Sequence, residues 1–225
     1  MYSEIYWTVG LTIYATVILF ATKISYQFFC SRGQPTNVAI YYNRKILHML
    51  VGGAIAIACP LVFTTPIYPL IIGLIMAIAT YIPYKTGKVL YWVQTEDNMN
   101  DVNFCLMAGI SVYLLWVLMD DPYLAIIPVI YMAFGDGVTG VARNMVFQKR
   151  TKSPIGNIFM AIVCIPSGYY LASLASTPIP LWGIISAIAA SIVERYEFGK
   201  IDDNILITVT ATSIVYAGSL IGPII

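Results

Sequence analysis

Charge is what this sequence has least of: lysine, arginine, aspartate and glutamate make up 10% of its 225 residues, against roughly 25% in an ordinary soluble domain. So little charge cannot coat a water-facing surface, and no separate soluble domain is expected. Histidine occurs once, as His48. Cysteine occurs four times, as Cys30, Cys59, Cys105 and Cys164, without CxxC spacing or Cys/His pairing, which argues against structural zinc and against a disulfide framework. Also missing are a Walker-A loop, a kinase-type glycine loop, any visible internal repeat and any feature that points to a nucleic-acid partner.

Apolar residues fill the space instead, at 59% of the chain. They form runs over about 5–28, 46–63, 67–84, 104–119, 123–142, 158–175, 179–193 and 205–221. Each can span a hydrocarbon core about 30 Å thick, some only just. The expected fold is therefore all-α, one transmembrane domain over residues 1–225, a polytopic bundle of about eight helices. The first run has no basic segment before it and exceeds the core of a signal peptide, so it is expected to stay as the first helix. Thr64-Thr65-Pro66, Asp120-Asp121-Pro122 and Ser176-Thr177-Pro178 read as tight links, in which proline ends one helix and lets the next begin.

All twelve basic residues fall in alternate connections or at their helix ends. Lys23, Arg32, Arg44 and Lys45 flank the first, Lys85 and Lys88 the third, Arg143, Lys149, Arg150 and Lys152 the fifth, Arg195 and Lys200 the seventh. Positive residues accumulate on the cytoplasmic side. With an even number of helices, both termini are then expected outside, and the chemistry is to be sought at the inner face.

Asp136 is the most informative residue, because it lies inside an apolar helix, in Ala133-Phe134-Gly135-Asp136-Gly137-Val138-Thr139-Gly140. A carboxylate within a membrane is expensive unless it faces a partner, a cation or water. A functional role competes here with a simple hydrogen bond to a neighbouring helix. Gly135, Gly137 and Gly140 would let a backbone or a ligand phosphate come close. Asp136, Gly140, Arg143 and Asn144 share one helix face, and Asp136 sits about 10 Å deeper than Arg143 at roughly 1.5 Å per residue. The next segment, Gln148-Lys149-Arg150-Thr151-Lys152-Ser153, suits phosphate oxygens, or merely obeys the topology rule.

The second helix is expected to enter through Arg44-Lys45-Ile46-Leu47-His48, with Arg44 and His48 one turn apart. His48 could accept a proton, orient a phosphate or simply pack. In the seventh connection, which runs from Glu194 to Asn204, Asp202, Asp203 and Asn204 offer hard oxygen ligands for magnesium shared with a nucleotide, or a solvated acidic loop. The third connection, Glu96-Asp97-Asn98-Met99-Asn100-Asp101, could also attract a cation, though its composition reads as that of an ordinary exposed loop. Polar clusters around 29–48, 136–157 and 194–204 thus converge on one membrane face. Acids and bases beside glycines are what phosphoryl or nucleotidyl transfer needs, since positioning and charge neutralisation drive such reactions.

These pieces resemble the membrane polyprenol kinase family, which includes dolichol kinase, phytol kinase and the CTP-dependent diacylglycerol kinase of yeast. The resemblance is carried by Arg44-Lys45-Ile46-Leu47-His48 with Gly52, Gly135-Asp136-Gly137 with Gly140, Lys152-Ser153 with Gly156, and Ile201-Asp202-Asp203-Asn204, in the family's order. The first helix is unmatched. It implies transfer of the γ-phosphate of CTP, or of another nucleoside triphosphate, to a long isoprenoid alcohol in the membrane, with Mg2+ as cofactor. Under it Asp136, His48 and Lys45 are expected to be catalytic. Arg44, Lys45, Gly135, Gly137, Gly140, Arg143, Asn144, Lys152 and Ser153 would contact nucleotide and phosphates, and Asp136, Asp202, Asp203 and Asn204 would surround the metal. Many members carry an acidic residue where Ile155 precedes Gly156, a departure that bears on donor geometry or metal count. The compact chain resembles the phytol-kinase or archaeal branch, in a cell membrane, or in the endoplasmic reticulum if eukaryotic. A CDP-lipid synthase is the nearest rival, and an ion-coupled transporter using Asp136 is the alternative from another class.

Overall fold

The computed structural model describes residues 2–147, 151–196, 198 and 201–224. Among them the chain is helical apart from one isolated bridge, Phe198 to Ile201. Eight rods succeed one another: α1 (Tyr2–Ser31), α2 (Thr36–Val62), α3 (Ile67–Lys85), α4 (Asn100–Met119), α5 (Pro122–Phe147), α6 (Pro154–Ser173), α7 (Pro180–Val193) and α8 (Asp203–Ile221). Seven are long and apolar enough to cross a membrane, and α7, with 14 residues, is the short one. It nevertheless joins the same two ends of the bundle as α8. Trp182 at its start donates to the Gly222 carbonyl beyond α8 at 3.0 Å. At its end, Lys152 bonds both the Glu194 carbonyl and the Asp203 carboxylate at the head of α8.

Short polar contacts fix which ends lie together. Pro122 opens α5 behind Asp121, whose carboxylate accepts from the amides of Tyr123 (2.9 Å) and Leu124 (3.0 Å), a helix cap in which proline needs no donor of its own. The other oxygen of Asp121 accepts from the Ser176 amide at 2.7 Å, so the α4–α5 and α6–α7 links touch. Glu4 in α1 accepts from the amide and hydroxyl of Thr64, in the α2–α3 link. Both termini and the even links therefore share one end. The described basic residues gather toward the other end, as the charge pattern requires.

The rods differ in what surrounds them. In six spans only 22–39% of the apolar window is buried, but in α5 the share is 83%. α5 packs against α2, α4, α6, α7 and α8, and so forms the axis of the bundle. The outward faces of the others carry large apolar side chains, such as Ile13, Val17, Phe20 and Ile24 on α1, which suits lipid rather than water. Two of the rods are irregular at one depth. α2 contains a π-helical turn at His48–Gly53 and α5 one at Tyr131–Gly135. The two turns pack on each other, with the ring of Phe134 in the space left by the absent side chain of Gly53.

Three expectations are corrected here. α2 begins at Thr36, well before the apolar run, and α5 continues past Ala142 to Phe147, because a polar cavity inside the bundle end lets helices carry charged residues there. Arg44 and Lys45 thus lie in mid-helix rather than at a point of entry. The third connection is no ordinary exposed loop. Trp92 donates to the Leu19 carbonyl at 3.1 Å and accepts from the buried Asn43 at 2.9 Å, while Gln94 bonds the Thr80 carbonyl and Asp101.

Asp121→Ala removes three acceptor contacts and should lower stability in detergent by about 1–3 kcal/mol, read as a lower thermal midpoint. In a chain freed of its native cysteines, single cysteines at Thr65 and Asp120 should react with an impermeant maleimide on intact cells. Cysteines at Lys88 and Arg195 should react only after permeabilisation.

Candidate active site

At the basic end the rods enclose a cavity of about 260 Å³. Its walls come from the first half of α2, the last turns of α5, the segment before α6, the end of α7, the head of α8 and the α3–α4 connection. Asp136 stands at its centre. One carboxylate oxygen accepts from the Lys45 ammonium at 2.5 Å, and His48 Nδ1 lies 3.6 Å from the same oxygen. Lys45 is also 5.1 Å from the centre of the Tyr41 ring. Tyr41 and Lys45 both press on Gly140, where any side chain would displace them.

A second pair lies beside the first. Arg143 grips Glu194 with two parallel bonds of 2.7 Å, the fork geometry that makes arginine–carboxylate pairs strong. Its Nε donates to the Ser153 carbonyl at 3.0 Å, and one of its amino groups also reaches Asn157 at 3.3 Å. Asn157 in turn donates to Glu194 and to the Ser191 carbonyl. Gly156 gives the guanidinium its room. The third pair is Lys152 with Asp203 at 3.0 Å, and Lys152 also lies 3.7 Å from Glu194. Carboxylates and cations thus alternate around the cavity, each with a partner from another segment.

Asp136, Glu194 and Asp203 each offer an oxygen, and these atoms lie within 4.8 Å of one another. Asn204, in the same wall, donates to the Asn100 carbonyl and to Asp202, but its side-chain oxygen is buried with no hydrogen-bond partner among the described residues. Such an acceptor costs about 1–3 kcal/mol unless something binds it. Three carboxylates and an amide oxygen are hard donors, a set that fits magnesium. His48 stacks on Phe104 with ring centres 3.9 Å apart, and neither of its ring nitrogens has a hydrogen-bond partner among the described residues.

Of the residues expected from the sequence, Arg44, Lys45, His48, Asp136, Gly140, Arg143, Asn144, Lys152, Asp203 and Asn204 all line this cavity. Four are placed elsewhere. Gly135 lies against Met160 and Cys164, and Gly137 against Met49, so both serve helix packing. Ser153 precedes α6 and gives its carbonyl to Arg143. Asp202 caps α8 through the Ile205 amide at 3.1 Å and accepts from Asn103 and Asn204. Burial raises its carboxyl above the ordinary aspartate value. The expected contributions of Gln148, Lys149, Arg150, Glu197, Gly199 and Lys200 lie outside the described residues.

Glu194 enters in the place expected of Asp202. Its signal was local: a carboxylate at the C-terminal end of a helix opposes the helix dipole and needs a reason to be there. Tyr41, one turn before Lys45, carried a weaker signal. Thr95, Asp97, Asn98 and Asn100 also line the cavity, and Arg44 donates to Asn98 at 3.3 Å. Asp97, Asn98 and Asn100 belong to the acidic segment 96–101, whose place at the cavity depends on Trp92 and Gln94, which bring that connection in. Compared with protein-family models, with curated proteins and with solved structures, the chain matches none.

Glu194→Gln leaves the buried Arg143 charge uncompensated and should lower stability by about 3–5 kcal/mol, measured as unfolding in detergent. The double variant Glu194→Leu with Arg143→Met should recover most of that loss.

Proposed function

We propose that this chain is a lipid kinase that transfers the γ-phosphate of a nucleoside triphosphate, CTP being the first donor to try, to the hydroxyl of a polyprenol-type alcohol such as dolichol, phytol or geranylgeraniol. What carries the proposal is the alternation of three carboxylates and three cations around one cavity. Each charge is compensated by its neighbour, so a bare cation or a bare phosphate would leave half of the ring unmatched. A metal–triphosphate is itself a cation held among anions. Asp136 and Asp203, together with the Glu194 carboxylate that Arg143 holds, would face the metal, and Lys45, Lys152 and Arg44 would face phosphate oxygens.

Asp136, Glu194 and Asp203 would hold Mg2+, with Asn204 beside them. When bound, the ion would neutralise and orient phosphate oxygens. The chain's own groups do the rest. Arg143 stays locked on Glu194 and fixes that carboxylate in place. The alcohol oxygen bonds to the γ-phosphorus while the bond from that phosphorus to its bridging oxygen breaks. The electron pair leaves on the nucleoside diphosphate, and the hydroxyl proton passes to the Asp136–His48 pair. By the positive-inside rule this face is cytoplasmic, in a cell membrane or, in a eukaryote, the endoplasmic reticulum. A transporter would need a polar route beyond Asp136. There α5 presents Ile126 to Ala133, buried and apolar except for the Tyr131 hydroxyl, which is engaged with Gly183 and Ser186.

Purified protein given γ-labelled CTP, magnesium and lipid alcohols should place label in the organic phase. Asp136→Asn should cut the rate by about 10²–10³-fold, and chelation of magnesium should abolish it. Pyrophosphate in place of CDP among the products would convert the proposal to a CDP-lipid synthase. Label that stays aqueous with every alcohol and every donor would overturn it.

A further inference from the structure

We infer that the acceptor is a single-chain alcohol whose tail lies in a crevice between α2, α3 and α4, with its hydroxyl held where His48 and Phe104 meet the polar cavity. The identity of the head group rests on the kinase proposal, whereas the course of the tail rests on the shape and lining of the bundle alone. Two further cavities of about 60 Å³ each continue from the polar one into the membrane-spanning part of the bundle. The first shares Arg44 and His48 with the polar cavity and is otherwise walled largely by apolar groups such as Leu19, Leu47 and Val51. The second shares Val51, Met76, Phe104 and Cys105 with the first, and runs on past Ala56, Cys59 and Ala108. From His48 to Cys59 the path is about 16 Å long at roughly 1.5 Å per residue, around half of a hydrocarbon core of about 30 Å.

Glycines along the crevice let its walls approach closely. A side chain at Gly52 would run into the Phe104 ring, and Gly73 lies against the backbone of Gly109. Thr80 and Asp101 also line the first part of the crevice, but the Thr80 hydroxyl donates to the Met76 and Ala77 carbonyls and the Asp101 carboxylate accepts from Tyr84 and Gln94. Only at the mouth do unpartnered polar atoms stand, the two ring nitrogens of His48, a residue with 4% exposure. An alcohol hydroxyl is both donor and acceptor, and one held there lies beside Asp136. Two small cavities in series, bounded on one side by the Gly73–Gly109 contact, match the width of one chain, so the second chain of a two-chain lipid would have to lie outside them. A lipid such as diacylglycerol does not fit inside them with both chains.

The test uses the wild-type protein in nanodiscs with a geranylgeraniol analogue carrying a diazirine in its tail and no nucleotide. Photolabel is expected on residues 48–59 of α2 and 104–112 of α4, displaced by geranylgeraniol and not by diacylglycerol. Label confined to α6 or spread over the lipid-facing surface, or displaced equally by diacylglycerol, overturns the crevice. Independently, Ala56→Phe and Ala108→Phe should raise the KM for geranylgeraniol about tenfold or more, leaving the KM for short-chain geraniol and for CTP unchanged. The outward-facing Ile110→Phe should change neither. If both crevice variants behave as wild type, the crevice falls and the kinase proposal stands. If wild type phosphorylates no alcohol, the kinase proposal falls and the photolabel alone decides the crevice.

Discussion

A carboxylate on the axis of a helical bundle must find a cation within reach, and Asp136 finds Lys45. That requirement repeats around the cavity. Asp136 of α5 pairs with α2, Arg143 of α5 with the end of α7, and Lys152 before α6 with the head of α8. The same three contacts that arrange the charges also tie five rods together at the basic end. Site and fold are thus held by shared bonds, and a buried pair that loses one member leaves the other exposed to the full cost of desolvation. A bundle built in this way keeps its charged residues because they answer one another, whatever they later bind.

Helix irregularity sets the register of these contacts. A π-helical turn admits an extra residue and rotates the helix on one side of it relative to the helix on the other. α2 and α5 each carry such a turn where they cross, and the glycines in them, Gly53 above all, allow the close approach. His48 opens one turn and Asp136 comes directly after the other. Lys45 and His48 consequently face Asp136 from the same helix, although Lys45 and Arg44 diverge, the latter toward Asn98. Regular helices through both segments would place these side chains in a different relation.

How much of this the sequence discloses depends on the range of the interaction concerned. The apolar runs, the alternation of basic connections and the isolated acid at Asp136 are local or periodic signals, and from them the all-α bundle, its topology and the core of the site are legible. Helix faces within α5 are legible for the same reason: Asp136, Gly140, Arg143 and Asn144 reach the cavity together. The partner of Arg143 is not, because Glu194 comes from a helix that the sequence does not place next to α5. Asp202 and Asp203 are adjacent, yet one caps α8 while the other faces the cavity. Only the direction of the chain entering α8 distinguishes them. The α3–α4 connection is the furthest from legibility, since it is carried onto the bundle by long-range bonds of Trp92 to the Leu19 carbonyl, of Asn43 to the Trp92 carbonyl and of Gln94 to the Thr80 carbonyl.

The position of the cavity also shows how a chain so poor in charge gathers what charge it has into one place. Its scarce cations are concentrated at a single end of the bundle, where they alternate with the carboxylates of the cavity. Oxygens of Asp136, Glu194 and Asp203 lie within 4.8 Å of one another, a spacing that suits a divalent cation. On the proposed function, phosphates would approach from water and stop at Lys45, Arg44 and Lys152, while an apolar chain would approach within the bilayer and stop at His48. Asp136 lies between the two approaches, 2.5 Å from Lys45 on one side and 3.6 Å from His48 on the other. A soluble enzyme acting on a long lipid must extract its substrate before it can reach a nucleotide. In the proposed kinase, a polar cavity that opens onto an apolar crevice would remove that step, because each reactant would meet the other without leaving its own solvent.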